Sequence, residues 1–193
     1  MPSAQPSNSN DSARDALLDA AEPLFYEHGY QAVGMDAIRA ASGLSLKRIY
    51  AIFPSKEELS VAVLDRRDDT WHASLVNEVD RHRDPEARLL AVFDWLEGWL
   101  ATDGYRGCAW LNAFGELGGT SPAVAQAVRR HKTRFRTYLD NLAREAGAAD
   151  FADSIYVLAE GSMACSGIAA SPAPAGWARA GAAALLARRT AHP

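Results

Sequence analysis

An all-α fold is predicted for this chain, and three observations predict it. Apolar residues recur at spacings of three and four, as in Leu17, Ala20, Ala21, Leu24 and Phe25, which is the period of a half-buried helix. Glycine, proline and small polar residues punctuate those runs where helices should start or stop, as at Gly29, Gly43, Pro54 and Ser121-Pro122. No stretch shows the two-residue alternation of a strand. The expected layout is three short helices and the start of a fourth, followed by an all-helical body.

Element by element, the first helix is expected over Ser12 to His28, with Asn10, Asp11 and Ser12 offered as N-caps and Gly29 as the stop. Pro23 should kink it, because proline removes a backbone donor. Short helices follow over Met35 to Ser42, ending at Gly43, and over Leu46 to Ile52, ending before Pro54. Ser55 caps a long helix with Glu57 and Glu58 in its first turn, the charge sign a helix N-terminus prefers. That helix is expected to reach about Arg83 before Asp84-Pro85 stops it. Glu86 to Ala101 places Leu89, Val92, Phe93, Leu96, Trp99 and Leu100 on one side. A short, imperfect helix is expected around Ala109 to Leu117, within a glycine-broken stretch. Ser121-Pro122 opens a helix to about Ala146. Asp150 to Ala170 and Ala175 to Arg189 form a last pair, separated by Ser171-Pro172-Ala173-Pro174.

The chain has 193 residues, of which 48% are hydrophobic, enough to build a core. No window approaches the roughly 18 uninterrupted apolar residues of a membrane span. The start, MPSAQPSNSNDS, has neither a basic nor an apolar signal region and reads as a disordered tail over residues 1–11. Two cysteines, Cys108 and Cys165, are too few for a disulfide framework and point to a reducing cytoplasm.

Formal net charge is −4, yet the span from Ala37 to Lys56 holds Arg39, Lys47, Arg48 and Lys56 and no acid. Met35 to Phe53 reads as helix, turn at Gly43, helix, the spacing of a helix-turn-helix. Ile38, Leu44, Ile49 and Ile52 form its inward set, which leaves Ser45, Leu46, Lys47, Arg48 and Tyr50 facing outward. Lys and Arg suit phosphates and guanine edges, the hydroxyls suit phosphate oxygens, and Leu46 suits a thymine methyl. Lys56 adds an ammonium beside a helix N-terminus. Phosphate binding responds to charge within about 10 Å, so the acidic total does not oppose it.

The segment GYQAVGMDAIRAASGLSLKRIYAIFPSKEELSVAVL resembles the DNA-binding domain of the tetracycline-repressor (TetR) family of bacterial transcription regulators. The residues that carry the likeness are Gly29-Tyr30, Ile38, Gly43, Tyr50, Phe53-Pro54 and Lys56-Glu57-Glu58-Leu59. The resemblance spans roughly residues 14 to 64 and implies an N-terminal helix-turn-helix domain, here 12–55, followed by a helical ligand-binding and dimerisation domain, here 56–190. It implies DNA contacts from Gly34, Met35, Arg39, Ser45, Leu46, Lys47, Arg48, Tyr50 and Lys56. Gly34 stands where the family usually has Ser or Thr, and Arg39 where a smaller residue is common. Lys47-Arg48 replaces a smaller pair, so no relative's operator carries over.

In that family the body dimerises and holds a small effector. The last two segments, about 150–170 and 175–189, are dense in Ala, Gly and Ser, which lets helices of two protomers approach closely. Dimerisation would set two reading helices about one turn of DNA, roughly 34 Å, apart on a palindromic operator. The expected effector is small and apolar or aromatic, lined by Trp71, Phe93, Trp95, Trp99, Cys108, Trp110, Asn112, Phe114, Phe135 and Tyr156. For any single one of these aromatics a place in a plain helical core is the better reading, whereas the group taken together favours a pocket. Asn112, Glu116 and His131 are the polar groups offered to orient a ligand.

Cys108 follows Arg106 and precedes a helix start, both of which lower a thiol pKa. A thiol-based redox or electrophile sensor is therefore one alternative, and a helical interaction protein without DNA binding is another. There is no HExxH, phosphate loop or CxxC, and the histidines lack ligand spacing. An enzyme is not expected, nor a metal or cofactor. The commonest outcome in the family, repression relieved by ligand, is the expectation.

Overall fold

The computed structural model describes residues 6–102 and 104–189. Its helices are α1 (Pro6–His28), α2 (Met35–Ser42), α3 (Leu46–Ile52), α4 (Lys56–Val79), α5 (Pro85–Leu100), α6 (Ala109–Leu117), α7 (Pro122–Glu145), α8 (Ala152–Ala169) and α9 (Ala173–Arg189). A 3-10 turn, Ala149–Phe151, precedes α8. The described residues contain no strand.

The chain divides into two compact units. One comprises the chain through Arg67 together with Asn112–Val128; the other comprises Asp68–Leu111 and the chain from Arg129 on. In the first, α1, α2 and α3 pack on one another. Leu17, Leu18, Ala21 and Phe25 of α1, Ile38 of α2 and Ile49 of α3 are all at most 1% exposed. Each of the larger side chains adds about 1.5–3 kcal/mol by leaving water. Phe25 stacks on Tyr30. Arg66 bonds Asp19 and Glu22, and Arg67 bonds Glu22 while lying over the Tyr26 ring, tying early α4 to α1.

In the second unit α9 packs on α5 and α8. A Cβ on Gly167 of α8 would come within 2.8 Å of the Gly107 backbone, so that approach requires glycine. The Tyr105 hydroxyl donates to the Met163 carbonyl at 3.0 Å.

Several expectations are corrected. α1 begins at Pro6, so residues 6–11 are helical rather than a tail, and Asn10, Asp11 and Ser12 lie inside the helix instead of capping it. Proline suits a first helical turn, where its missing donor costs nothing. Residues 1–5 of the expected tail lie outside the described residues. As expected, α1 runs through Pro23, with Ala21 and Phe25 buried on either side of it. α4 ends at Val79, short of Arg83, where Arg81 and His82 tighten the chain into i→i−3 bonds. α9 starts at Ala173, so Pro174 lies in its first turn rather than in a separator. The two compact units divide within α4, between Arg67 and Asp68, and Leu59, Val63 and Leu64 of the first unit are buried.

Candidate nucleic-acid interface

The α2–turn–α3 geometry follows from three features. Gly43 adopts φ 69°, ψ 3°, a left-handed conformation natural to glycine, and its N–H bonds the Arg39 carbonyl to close α2. Ser45 is extended, and its Oγ accepts the Arg48 N–H at 3.3 Å to open α3. Ile38 and Ile49, at 0% exposure, fix the roll of both helices.

That roll leaves Lys47 exposed, Tyr50 46% exposed and Arg48 half-buried. Among the described residues, none of these three side chains has a hydrogen-bond or ion-pair partner. Two cations and a phenol on one short helix are thus unspent, and they are the groups suited to phosphate and base edges. Leu46 is half-buried, and Ser45 retains its O–H as a donor.

The other expected contacts differ in availability. Gly34 is exposed and extended, with nothing within 4 Å of a Cβ built on it, and Met35 is half-buried. Arg39 pairs with Asp36 at 3.3 Å, an exposed pair worth at most about 1 kcal/mol that a phosphate can displace. Lys56 donates to the Gln31 carbonyl at 3.3 Å. Burial lowers its pKa, with Glu116 partly offsetting. Its ammonium is therefore already engaged within the unit, and α3 carries the free charge.

Residues 17–63 match the family "Bacterial regulatory proteins, tetR family", and residues 85–182 match "Tetracyclin repressor-like, C-terminal domain". The chain belongs to the TetR family. It is accordingly a DNA-binding transcription regulator and not an enzyme. A helical interaction protein with no DNA role is thereby ruled out. The HTH-type transcriptional repressor ComR of Escherichia coli is 32% identical over 129 residues, 64% of this chain and 60% of ComR. The HTH-type transcriptional activator FasR of Mycolicibacterium smegmatis is 37% identical over 100 residues, 50% of this chain and 45% of FasR. The chain thus spans about half the length of these curated relatives. The TetR-family regulator SCO4454 of Streptomyces coelicolor superposes with a TM-score of 0.83 at 26% identity, covering 92% of this chain and 96% of that one.

In this TetR-family regulator the aromatics expected around an effector form a cluster in the second unit. Trp71 is 4% exposed and meets Trp95, Trp99, Trp110, His131 and Phe135 edge-on, with centroids 5.0 to 6.0 Å away. Phe135 also meets half-buried Tyr156. Phe93 is fully buried on α5, with no ring contact to the cluster among the described residues. Asn112 and Phe114 belong to the first unit, and Phe114 is 45% exposed.

Of the polar groups offered, Glu116 is committed to the first unit: its Oε2 accepts the Gln31 N–H at 2.9 Å. His131 sits within the aromatic cluster, 1% exposed, with Nδ1 2.6 Å from Asp68 Oδ1. Burial alone would raise the Asp68 carboxyl; hydrogen bonds from His131 and Arg134 outweigh it and hold the group below the usual range. Burial pushes the His131 imidazole down, and Asp68 only partly opposes this.

Cys108 is 1% exposed, and the cation near it is Lys132, whose Nζ lies 3.5 Å from Sγ and 2.6 Å from Glu160. Burial opposes the Lys132 charge, but Cys108 and Glu160 outweigh it and raise its pKa. Sequence reading missed Asp68, Lys132 and Glu160. One signal was available: Val128, Lys132, Phe135 and Leu139 share a helical stripe, and a charge inside an apolar stripe needs a partner.

Proposed function

We propose that this TetR-family regulator acts as a homodimeric repressor on a palindromic operator and is released by a small apolar or aromatic effector bound in its second unit. The observation that carries the DNA half of this reading is the unspent face of α3, with Lys47, Arg48 and Tyr50 presented together. Dimerisation is supported by the outer face of α8 and α9. There Val157 is 65% exposed, Ile168 89% and Trp177 71%. An open groove of about 540 Å³ lined by Asp153, Ser154, Val157, Leu158, Gly181 and Leu185 runs between those helices. Large apolar side chains left so open mark an interface. Cys165 is also exposed on α8.

A rigid dimer must match two half-sites at once, so a small change in reader spacing disengages several side chains together. The coupling is reciprocal, and operator DNA must weaken effector binding by the same factor. The effector reading rests on the aromatic cluster around Trp71. Among the described residues no helix is long and apolar enough to cross a membrane, and the proposed place of action is the cytoplasm, with the DNA.

Selecting bound sequences from a random DNA pool tests this reading. An inverted repeat should emerge, and screening small aromatics for release of that DNA should yield hits. A pool that shows no enrichment, or enrichment unchanged with Lys47→Ala/Arg48→Ala, would remove α3 as the reader.

A second reading is favoured by the Lys132–Cys108 contact. The Lys132 ammonium lies 3.5 Å from the Cys108 sulfur, which can add to the β-carbon of an unsaturated carbonyl, its proton passing to water. A C–S bond forms, the π electrons move to the carbonyl oxygen, and the resulting enolate takes a proton from water. Electrophile-triggered DNA release that disappears in Cys108→Ser supports this route, whereas release that persists in the variant returns the response to the effector site.

A further inference from the structure

The effector reading leaves the chemistry of the effector open, and the polar atoms of the aromatic cluster narrow it. Three buried nitrogens there have no hydrogen-bond partner: Trp71 Nε1, Trp110 Nε1 and His131 Nε2. Their residues are 4%, 1% and 1% exposed. Their rings are mutual neighbours. Trp110 stacks on His131 with centroids 3.4 Å apart, and Trp71 meets His131 at 5.1 Å and Trp110 at 6.0 Å. The three nitrogens are thus carried by three adjoining buried rings. By contrast, Trp95 in the same cluster has its N–H satisfied by Ser74 Oγ at 3.1 Å.

The roles of the three atoms are settled by their surroundings. An indole N–H can only donate. His131 Nδ1 faces Asp68 Oδ1 at 2.6 Å, and Asp68 is held by Arg134 at 2.9 Å. A carboxylate there keeps the imidazole proton on Nδ1, which leaves Nε2 a lone-pair acceptor. The cluster thus offers two donors and one acceptor. Their complement is an oxygen with two lone pairs and one proton, which is a hydroxyl. A carboxylate would satisfy the indoles and be repelled by the Nε2 lone pair, while a hydrocarbon would satisfy none of the three.

We infer that the effector site of this protein is built for a hydroxylated aromatic, whose O–H donates to His131 Nε2 while its oxygen accepts from the indole N–H groups of Trp71 and Trp110. This rests on the effector reading and gives that effector a chemical class.

The test compares 4-methylphenol, p-xylene and 4-methylbenzoate, which share a ring and differ in one group. The full chain, ¹⁵N-labelled, is titrated with each while the indole N–H resonances are followed. The phenol should bind at least about tenfold more tightly than p-xylene and move the Trp71 and Trp110 N–H signals, with the benzoate weakest. Trp110→Phe removes one donor and should shrink the phenol preference. His131→Asn keeps a donor toward Asp68 but loses Nε2, and should abolish that preference. Equal binding of phenol and p-xylene, unaltered in His131→Asn, would overturn the hydroxyl site and leave an apolar effector pocket standing. Tightest binding by the benzoate would overturn the assignment of Nε2 as acceptor. If none of the three moves an indole signal, the hydroxyl-selective site is refuted, and the effector reading is decided separately by the DNA-release screen.

Discussion

The side chain of Glu116, on α6, lies against Gly29 at the end of α1: a Cβ placed on Gly29 would come within 3.0 Å of Glu116 Oε2. Gly29 itself holds φ 89°, which L-residues rarely adopt. Two separable penalties therefore await Gly29→Ala, one from backbone strain and one from steric overlap. Together they should cost about 1–3 kcal/mol, read from urea unfolding. Gly29→Ala combined with Glu116→Ala should recover only the steric part. It should also remove the bond that Glu116 Oε2 makes to the Gln31 N–H. Full recovery would show that the backbone is unstrained.

The unspent bases of α3 lead to a second expectation. Lys47→Ala/Arg48→Ala removes four cations from the proposed dimer. At about 1 kcal/mol or more for each, operator affinity should fall about a thousandfold. The slope of log affinity against log salt should decrease by about 0.9 for each phosphate no longer neutralised. Helix content and dimerisation should not change, since neither side chain has a partner within the described residues. An unaltered salt slope would mean that these bases do not touch phosphate.

Trp177, at 71% exposure on α9, should be a centre of the dimer interface. Trp177→Asp should raise the dimer dissociation constant by about a hundredfold or more, as truncating an aromatic hot spot does. Sedimentation equilibrium gives that constant directly, and operator binding should weaken with it. A dimer of undiminished strength would place the interface elsewhere.

His131 sets a pH dependence. Its folded-state pKa lies below the unfolded value of about 6.5, because burial in the cluster outweighs Asp68. The unfolded chain therefore binds the proton more readily. Stability contributed by the neutral imidazole is complete above the unfolded value and declines as pH falls toward the folded one. His72 shifts in the same direction, again mainly by burial. The urea midpoint should drop between pH 7 and 5, more steeply in the parent than in His131→Asn. Parallel profiles would refute the burial account.

The legibility of this protein divides by sequence distance. Gly43, Ser45 and the Ile38–Ile49 pair lie within one short window, and turn preference, capping and apolar period act over a few residues. The helix-turn-helix and its outward bases could therefore be read directly. The helix ends that misread lie at Pro6, Val79 and Ala173, and past Val79 the chain tightens into i→i−3 bonds at Arg81 and His82. Lys56 was read as a phosphate ligand from its position, yet its ammonium is engaged by Gln31, 25 residues away.

By itself, the sequence determined an all-α chain with a cationic, outward face on the second motif helix, because those features depend on neighbours three or four positions apart. Only the tertiary structure decided that Asp68 meets His131 across 63 residues, Cys108 meets Lys132 across 24 and Gln31 meets Glu116 across 85. Such pairings follow from how helices stack. A side chain's charge, tautomer and availability depend on what is packed against it, whatever its place in the chain.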